Sequence, residues 1–351
     1  MESDKMSISE IAEELGMSSS TVSRAISGKG RVSDATKSRI LEYIAESGKT
    51  PHIRTSKFSD KKTMNICVTI PGEGDYAELP YFTRMIMTLY DFFVIRDYNI
   101  ILVKTRSDDI SALRDIIRRH KVDGVILTRV LENWADIMYL KEKQVPFVVT
   151  GNCQDESVYQ VDVDQRGGCH DLTDNLIKMG TRRMALLCAD LRQMVSQDRR
   201  DGYLAALREN NIPIERHLIA ENAADRNVLE KVVLDILKEQ VECIICSDDS
   251  ICLSLLDYFR EIGVTVPRDV RVASFYNSMV LNEYHPAITS LDFDIREMGR
   301  AAGNMLLRLL EGLPCEKKKV LGYKLLIKES TNFAAYKPST DVSEHARFGI
   351  V

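Results

Sequence analysis

No run in the 351-residue chain approaches roughly 18 consecutive apolar residues, so no membrane-spanning helix is expected. The opening MESDKMSISE lacks the basic flank and apolar stretch of a secretory signal, and a cytoplasmic location is expected. G-x-S-x-G, H-E-x-x-H, a P-loop and G-x-G-x-x-G are all missing, and the six histidines form no recognisable catalytic grouping. An enzyme is therefore not expected. Positive charge is in the minority: 47 Lys and Arg stand against 52 Asp and Glu, a net charge of −5. That excludes a uniformly cationic coat for nucleic acid but leaves room for a local basic patch. The eight cysteines show no zinc spacing, because Cys243-x-x-Cys246 sits inside the apolar run ECIICS without a second ligand pair. They are read as small core residues, and no disulfide, metal or cofactor is expected. At this length, 44% hydrophobic and 28% charged, the chain has room for two or three domains and buries a core without staples.

The basic charge is concentrated near the N-terminus. Residues 1–16 are acidic, whereas residues 17–41 carry Arg24, Lys29, Arg31, Lys37 and Arg39 against Asp34 alone. This is a footprint for phosphate contact on an otherwise acidic chain. Ser7-Ile8-Ser9-Glu10 is a capping box opening a helix whose apolar stripe is Ile8, Ile11, Ala12 and Leu15. Gly16 ends it, as the residue that accepts a left-handed turn. A second helix is predicted over about 19–26, with Val22, Ala25 and Ile26 facing inward, and Gly28 and Gly30 break it. A third starts near Ser33 with Ile40, Leu41 and Ile44 on one face. Two short helices joined by a Gly-containing turn, then a third completing the core, form a helix-turn-helix. Its second helix would lie in the major groove and leave Ser19, Ser20, Ser23 and Arg24 outward.

The run IAEELGMSSSTVSRAISGKGRVSDATKSRI resembles the DNA-binding headpiece of the lactose-repressor (LacI/GalR) family, through T-V-S-R at 21–24 and V-S at 32–33. The likeness continues to about Asn332. Ser18 is suited to cap the recognition helix, whose N-terminus favours a phosphate oxygen. Ser7, Thr21, Ser23 and Thr36 are short hydroxyl donors for positioning on the backbone. The resemblance places Ser19 and Ser20 at base edges, where serine reads weakly, and Arg31 near the phosphates. Arg24 can contact guanine through two donors and is expected to carry most specificity.

Residues 48–63 form the link to the next domain. The family's P-N-x-x-A-R-x-L hinge pattern survives here only as Pro51, with His52, Thr55, Ser56 and Phe58 at the changed positions. Phe58 remains a competent apolar wedge between base steps, while Thr55 is a poorer helix former than alanine. The other reading is a plain cationic linker.

From Met64 short apolar runs (NICVTI, NIILVKT, GVILT, PFVVTG, MALLCA, ECIICS and RVASF) alternate with stretches of helical period at 82–97, 110–120, 133–143, 168–179, 198–210, 226–239, 249–262 and 295–311. This alternation implies parallel sheets flanked by helices, with a ligand outside the carboxyl ends of the strands. The strands group into about 64–161 and 162–290, with later segments crossing back, similar to the periplasmic-binding-protein fold. Val161-Asp162-Val163-Asp164 is read as opening the second half. The expected fold is α/β: a three-helix helix-turn-helix headpiece (1–47), the linker (48–63), a two-subdomain periplasmic-binding-protein-like effector and dimerisation domain (64–332) and a tail (333–351). That tail has no leucine heptad, so a dimer rather than a tetramer is expected.

The resemblance also implies a pocket. The family's S-x-x-R-x-x-G reads Ser196 to Gly202, making Arg199 the ligand-holding arginine, a donor fork suited to carboxylate, phosphate or paired hydroxyls. N-P-F-F reads Leu79-Pro80-Tyr81-Phe82, and N-D reads Asp248-Asp249. F-D-D reads Phe275-Tyr276-Asn277, without the carboxylates that grip sugars, and a polar position in T-T-V-x-Q has become Phe293. A pocket of Tyr81, Phe82, Ser196, Arg199, Asp248, Tyr276, Asn277 and Phe293 suits an aromatic glycoside, a zwitterion or an amine better than a free hexose. Alternatively, Arg199 and Asp248 pair across an unused cleft. The expected function is a DNA-binding transcription regulator, a repressor binding a near-palindromic operator as a homodimer and controlled by a small effector. The alternatives are control by a protein partner or by no effector, and a solute-binding protein.

Overall fold

In the computed structural model, residues 5–27, 32–47, 50–52, 62–73 and 80–332 are described, and the chain divides into two units, Met1–Lys61 and Lys62–Val351. The first comprises β1 (Lys5–Ser7), α1 (Ile8–Glu14), α2 (Ser19–Ser27), α3 (Asp34–Ser47) and β2 (Thr50–His52). Gly16 takes φ +65 between α1 and α2, a conformation that would strain a residue bearing a Cβ. Ile11, Ala12, Val22, Ala25 and Ile40 are buried, with Leu15, Met17, Val32, Tyr43 and Ile44 packed around them. Leu41, expected inward, is 46% exposed. Ile40 and Ile44 lie one turn apart on a single face, and Leu41 is rotated about 100° away from Ile40.

The segment read as a linker begins differently: β2 pairs in parallel with β1, so residues 50–52 belong to the first unit. Gly28, Gly30, Arg31, Thr55, Phe58 and the tail 333–351 lie outside the described residues.

The second unit holds two six-stranded sheets. Its elements are β3 (Asn65–Pro71), α4 (Pro80–Val94), β4 (Asn99–Thr105), α5 (Ser111–Arg118), β5 (Gly124–Leu127), α6 (Ala135–Glu142), β6 (Phe147–Thr150), β7 (Gln160–Val163), α7 (Gln165–Lys178), β8 (Met184–Leu187), α8 (Met194–Glu209), β9 (Ile219–Ala220), α9 (Arg226–Lys238), β10 (Cys243–Cys246), α10 (Asp249–Ile262), β11 (Arg271–Ser274), α11 (Met279–Glu283), β12 (Thr289–Phe293), α12 (Ile295–Leu310), β13 (Lys318–Leu321) and β14 (Tyr323–Leu326). The first sheet runs β13-β7-β6-β5-β3-β4 and the second β14-β12-β11-β10-β8-β9. All pairings are parallel except β12 with β14. Helices on both faces bury the central strands completely, which explains their uninterrupted apolar runs.

Val161-Asp162-Val163-Asp164 corrects the expected boundary. Val161, Asp162 and Val163 belong to β7, which pairs with β6 and β13 in the first sheet, and Asp164 caps α7. The chain changes lobes after β7, where α7 follows, again between β12 and α12, and a third time at Gly322 between β13 and β14. α12 packs on the first sheet beside α4, where Gly303 meets the Phe92 ring and Gly299 meets Thr88. In the second lobe α7 and α8 pack so closely that a Cβ on Gly202 would sit 2.4 Å from the Arg166 carbonyl oxygen. Cys67, Cys153, Cys169, Cys188, Cys243, Cys246 and Cys252 are buried free thiols, and Cys315 is partly buried. No described helix is long and apolar enough to cross a membrane.

Candidate DNA-reading helix and interlobe cleft

In the first unit Ser18 precedes α2 and caps it, its hydroxyl accepting from the Thr21 backbone N–H at 3.2 Å. The Ser18 and Thr21 hydroxyls lie 2.8 Å apart. Ser33 and Thr36 repeat the device at α3, with hydroxyls 2.7 Å apart. Both threonines, expected as donors to a phosphate, thus have a first partner within the protein. A hydroxyl still retains acceptor or donor capacity beyond one such bond. Ser19 and Arg24 are exposed on α2, as the sequence predicts for groups that reach a groove. Ser7, Ser20 and Ser23 fall in β1 and α2, but their side chains lie outside the described residues, as do Arg31 and Phe58 entirely.

In the second unit Arg199 lies on α8 and is 9% exposed. Its Nε donates to Gln165 Oε1 at 3.0 Å and its Nη1 to the Ser247 carbonyl oxygen at 2.7 Å. The guanidinium carbon stands 5.9 Å from the centre of the Tyr276 ring. Tyr276 stacks on Phe293 at 6.4 Å between centroids, and Phe293 meets Tyr323 edge-on at 6.4 Å. Tyr81 at the start of α4 lies 3.2 Å from the Thr150 hydroxyl and meets Phe82 edge-on at 4.9 Å. Burial pushes the Tyr81 hydroxyl up to about 12, against the hydrogen bond with Thr150, while Asp162 and Arg199 act on it in opposite senses. Ser196 is buried in the first turns of α8.

Two expected pocket residues are occupied otherwise. Asp248 is the N-cap of α10: its carboxylate accepts from the Ile251 N–H at 3.0 Å and forms no ion pair with Arg199. The pairing of Arg199 with Asp248 is therefore not formed, because the helix N-terminus competes for that carboxylate. Asn277 is buried, and its Nδ2 donates to Asp292 at 3.2 Å while its carbonyl accepts from Ser290 Oγ and Lys328 Nζ. Its amide is committed within the second lobe.

Acids that sequence reasoning did not select are more suggestive. Burial pushes the Asp162 carboxyl up to about 7, and its neighbours include Asp198. Asp198 is raised by burial although Asn152 Nδ2 donates to it at 3.1 Å. Asp249 is buried and raised, by burial first and then by Asp248, with Ser278 as hydrogen-bonding partner. Arg199 spends its described donors on neutral oxygens, and the carboxyls of Asp162, Asp198 and Asp249 are shifted toward their neutral forms chiefly by burial. Among the described residues no group of three or more His, Cys, Asp or Glu is placed to hold a metal ion.

The sequence profile of the lacI family of bacterial regulatory proteins matches residues 7–52, and that of the periplasmic binding protein-like domain matches residues 173–331. The HTH-type transcriptional regulator RegA of Clostridium acetobutylicum is 27% identical over 334 residues, covering 92% of this chain and 98% of the relative. The chain belongs to the lacI family. It is a DNA-binding transcriptional regulator and not an enzyme. Among solved structures, a transcriptional regulator CelR–cellobiose complex superposes with a TM-score of 0.68 at 24% identity, over 92% of this chain and 99% of that one. The lac repressor dimer bound to operator and the anti-inducer ONPF superposes with a TM-score of 0.66 at 19% identity, over 93% and 99%.

Within this lacI-family frame the residues missed from sequence had a signal. Asp249 is the second member of the N-D pair, and Asp162 sits in the run taken as a boundary marker. Gln165, which holds Arg199, opens α7 with no motif of its own; only the packing of α7 against α8 discloses it.

Proposed function

We propose that this regulator is a cytoplasmic repressor that binds a near-palindromic operator as a two-fold dimer and releases or grips it according to a small effector in the Arg199 cleft. Each headpiece reads a half-site, with Ser18, Thr21 and Thr36 on the backbone and Arg24 on a base edge, so two-fold pairing is what makes a full site. Support for pairing comes from the outer face of α4, where Met87, Tyr90 and Val94 recur at helical spacing and are exposed, followed by Ile95 at 76% exposure. An apolar stripe of that kind suits burial against a second copy.

The single observation that carries the effector reading is the Arg199 site itself: a buried guanidinium beside the Tyr276–Phe293 stack, close enough to the raised carboxyl of Asp249 to act on it. Such a cleft favours a ligand that brings a protonated amine or several hydroxyl donors together with a flat apolar face. Effector binding alters DNA affinity only to the extent that its affinity differs between the two lobe arrangements.

The test is a selection from random duplex DNA at two salt concentrations, with Arg24→Ala alongside. Enrichment of a palindrome by the wild type alone supports sequence-specific reading by a dimer. Salt-sensitive binding without enrichment leaves only the phosphate contribution and refutes it.

A further inference from the structure

We propose that the protein has a second ligand site, separate from the Arg199 cleft, at the point where the crossing strands meet the start of α12, and that this site takes a small multiply charged anion carrying phosphate or clustered carboxylates. A cavity of about 440 Å³ lies there, lined by Arg84 of α4, Arg296 of α12, Lys324 and Tyr323 of β14, and Asp292 and Phe293 of β12. That volume falls in the range of small-molecule sites. Arg199, Ser196, Asp248 and Asp249 do not line it. The aromatic row explains the separation: Tyr276 lies against Arg199, Phe293 stacks on Tyr276, and Tyr323 closes the far side.

The charges in this cavity are unevenly matched. Asp294, which also borders it, accepts from the Glu297 N–H at 2.9 Å as the N-cap of α12. Asp292 accepts from Asn277 at 3.2 Å. Each acid thus has a neutral donor, and Asp292 also interacts with the Lys328 ammonium, so two carboxylates stand against three cations at the cavity wall. By contrast, neither the guanidinium of Arg84 or Arg296 nor the ammonium of Lys324 makes a hydrogen bond or ion pair with any described residue. Three such cations converging on one concavity are the donor set that a phosphate or a polycarboxylate satisfies.

The placement of these cations gives the site a consequence. Arg84 and Arg296 stand on α4 and α12, which pack with the first sheet, and Lys324 stands on β14 of the second sheet. An anion held by all three fastens one lobe to the other at the strand crossings. It therefore biases the same lobe angle that the cleft effector biases, and the two ligands are coupled, each changing the other's affinity by the same factor.

The experiment is calorimetric titration of the full-length protein with inorganic phosphate and, separately, with citrate, at ionic strength held constant with KCl. Arg296→Gln, Lys324→Gln, Arg84→Gln, Arg199→Ala and Arg24→Ala are run in parallel, each with a thermal melt to verify folding. Saturable binding of either anion is expected, weakened about ten- to a hundredfold by loss of Arg296 or Lys324, and retained in Arg199→Ala and Arg24→Ala. Which anion binds assigns the ligand class. The proposal is overturned if the wild type binds neither at millimolar concentration, if the Arg296, Lys324 and Arg84 variants all bind as wild type does, or if Arg199→Ala or Arg24→Ala alone removes binding.

Discussion

Arg199 Nη1 donates to the carbonyl oxygen of Ser247 at 2.7 Å, tying α8 to the end of β10. This bond holds a buried guanidinium that forms no ion pair with a described acid, and Gln165 on α7 secures the same group through its Nε. The arginine is thus positioned before any ligand arrives, so little of its ordering is left for binding to bear.

Removing it should separate the two activities. Arg199→Ala is expected to abolish the effect of the effector on operator binding while leaving effector-free DNA affinity close to that of wild type. A mobility-shift titration with and without effector measures both. A normal response in the variant would remove Arg199 from the pocket.

Asp162 predicts a pH dependence with a definite sign. Burial holds its carboxyl at about 7, above the value of about 3.9 in an unfolded chain. Its contribution to stability is therefore complete below about pH 4 and lost as the pH rises through 7. Asp162→Asn stays neutral throughout, so its Tm should match wild type near pH 4 and exceed it at pH 8. Parallel thermal melts across that interval decide the matter, and an offset that does not vary with pH is the contrary result.

Gly202 is where α7 and α8 touch, and an added Cβ would fall 2.4 Å from the Arg166 backbone oxygen and 2.9 Å from the Cys169 Cβ. A backbone carbonyl cannot swing aside as a flexible side chain can. Gly202→Ala is expected to cost about 1–3 kcal/mol and, by moving α8, to weaken effector response. Chemical denaturation with operator-release assays tests both, and an unchanged midpoint contradicts the packing argument.

In the headpiece Arg24→Ala should cost about 1–3 kcal/mol on the best operator and relax base preference at one position of each half-site. Ser18→Ala should instead lower headpiece stability by about 1 kcal/mol through the lost cap. Quantitative binding to a library of single-base operator variants distinguishes them: only the arginine change alters the order of preference.

Phe58→Ala probes the linker. If Phe58 opens a base step, affinity for the specific site drops while non-specific affinity holds. Equal affinities for wild type and variant on the specific site would mean that the segment is only a tether.

The headpiece was readable from local chemistry: a capping serine, a glycine at the turn and apolar residues one helical turn apart are each set within a few positions of the chain. The same holds for the alternation of buried strands with amphipathic helices, because burial on both faces of a parallel sheet leaves a continuous apolar run. Leu41 shows where the pattern ran out, since a helix offers adjacent apolar residues to two faces and only packing against Ile11 and Val22 selects one. The assignment of β7 to the first sheet, the bond from Gln165 to Arg199, the diversion of Asp248 to a helix cap and the convergence of Arg84, Arg296 and Lys324 were decided by tertiary structure alone. Each depends on residues from separate elements meeting at the strand crossings, and no spacing along the chain encodes that distance.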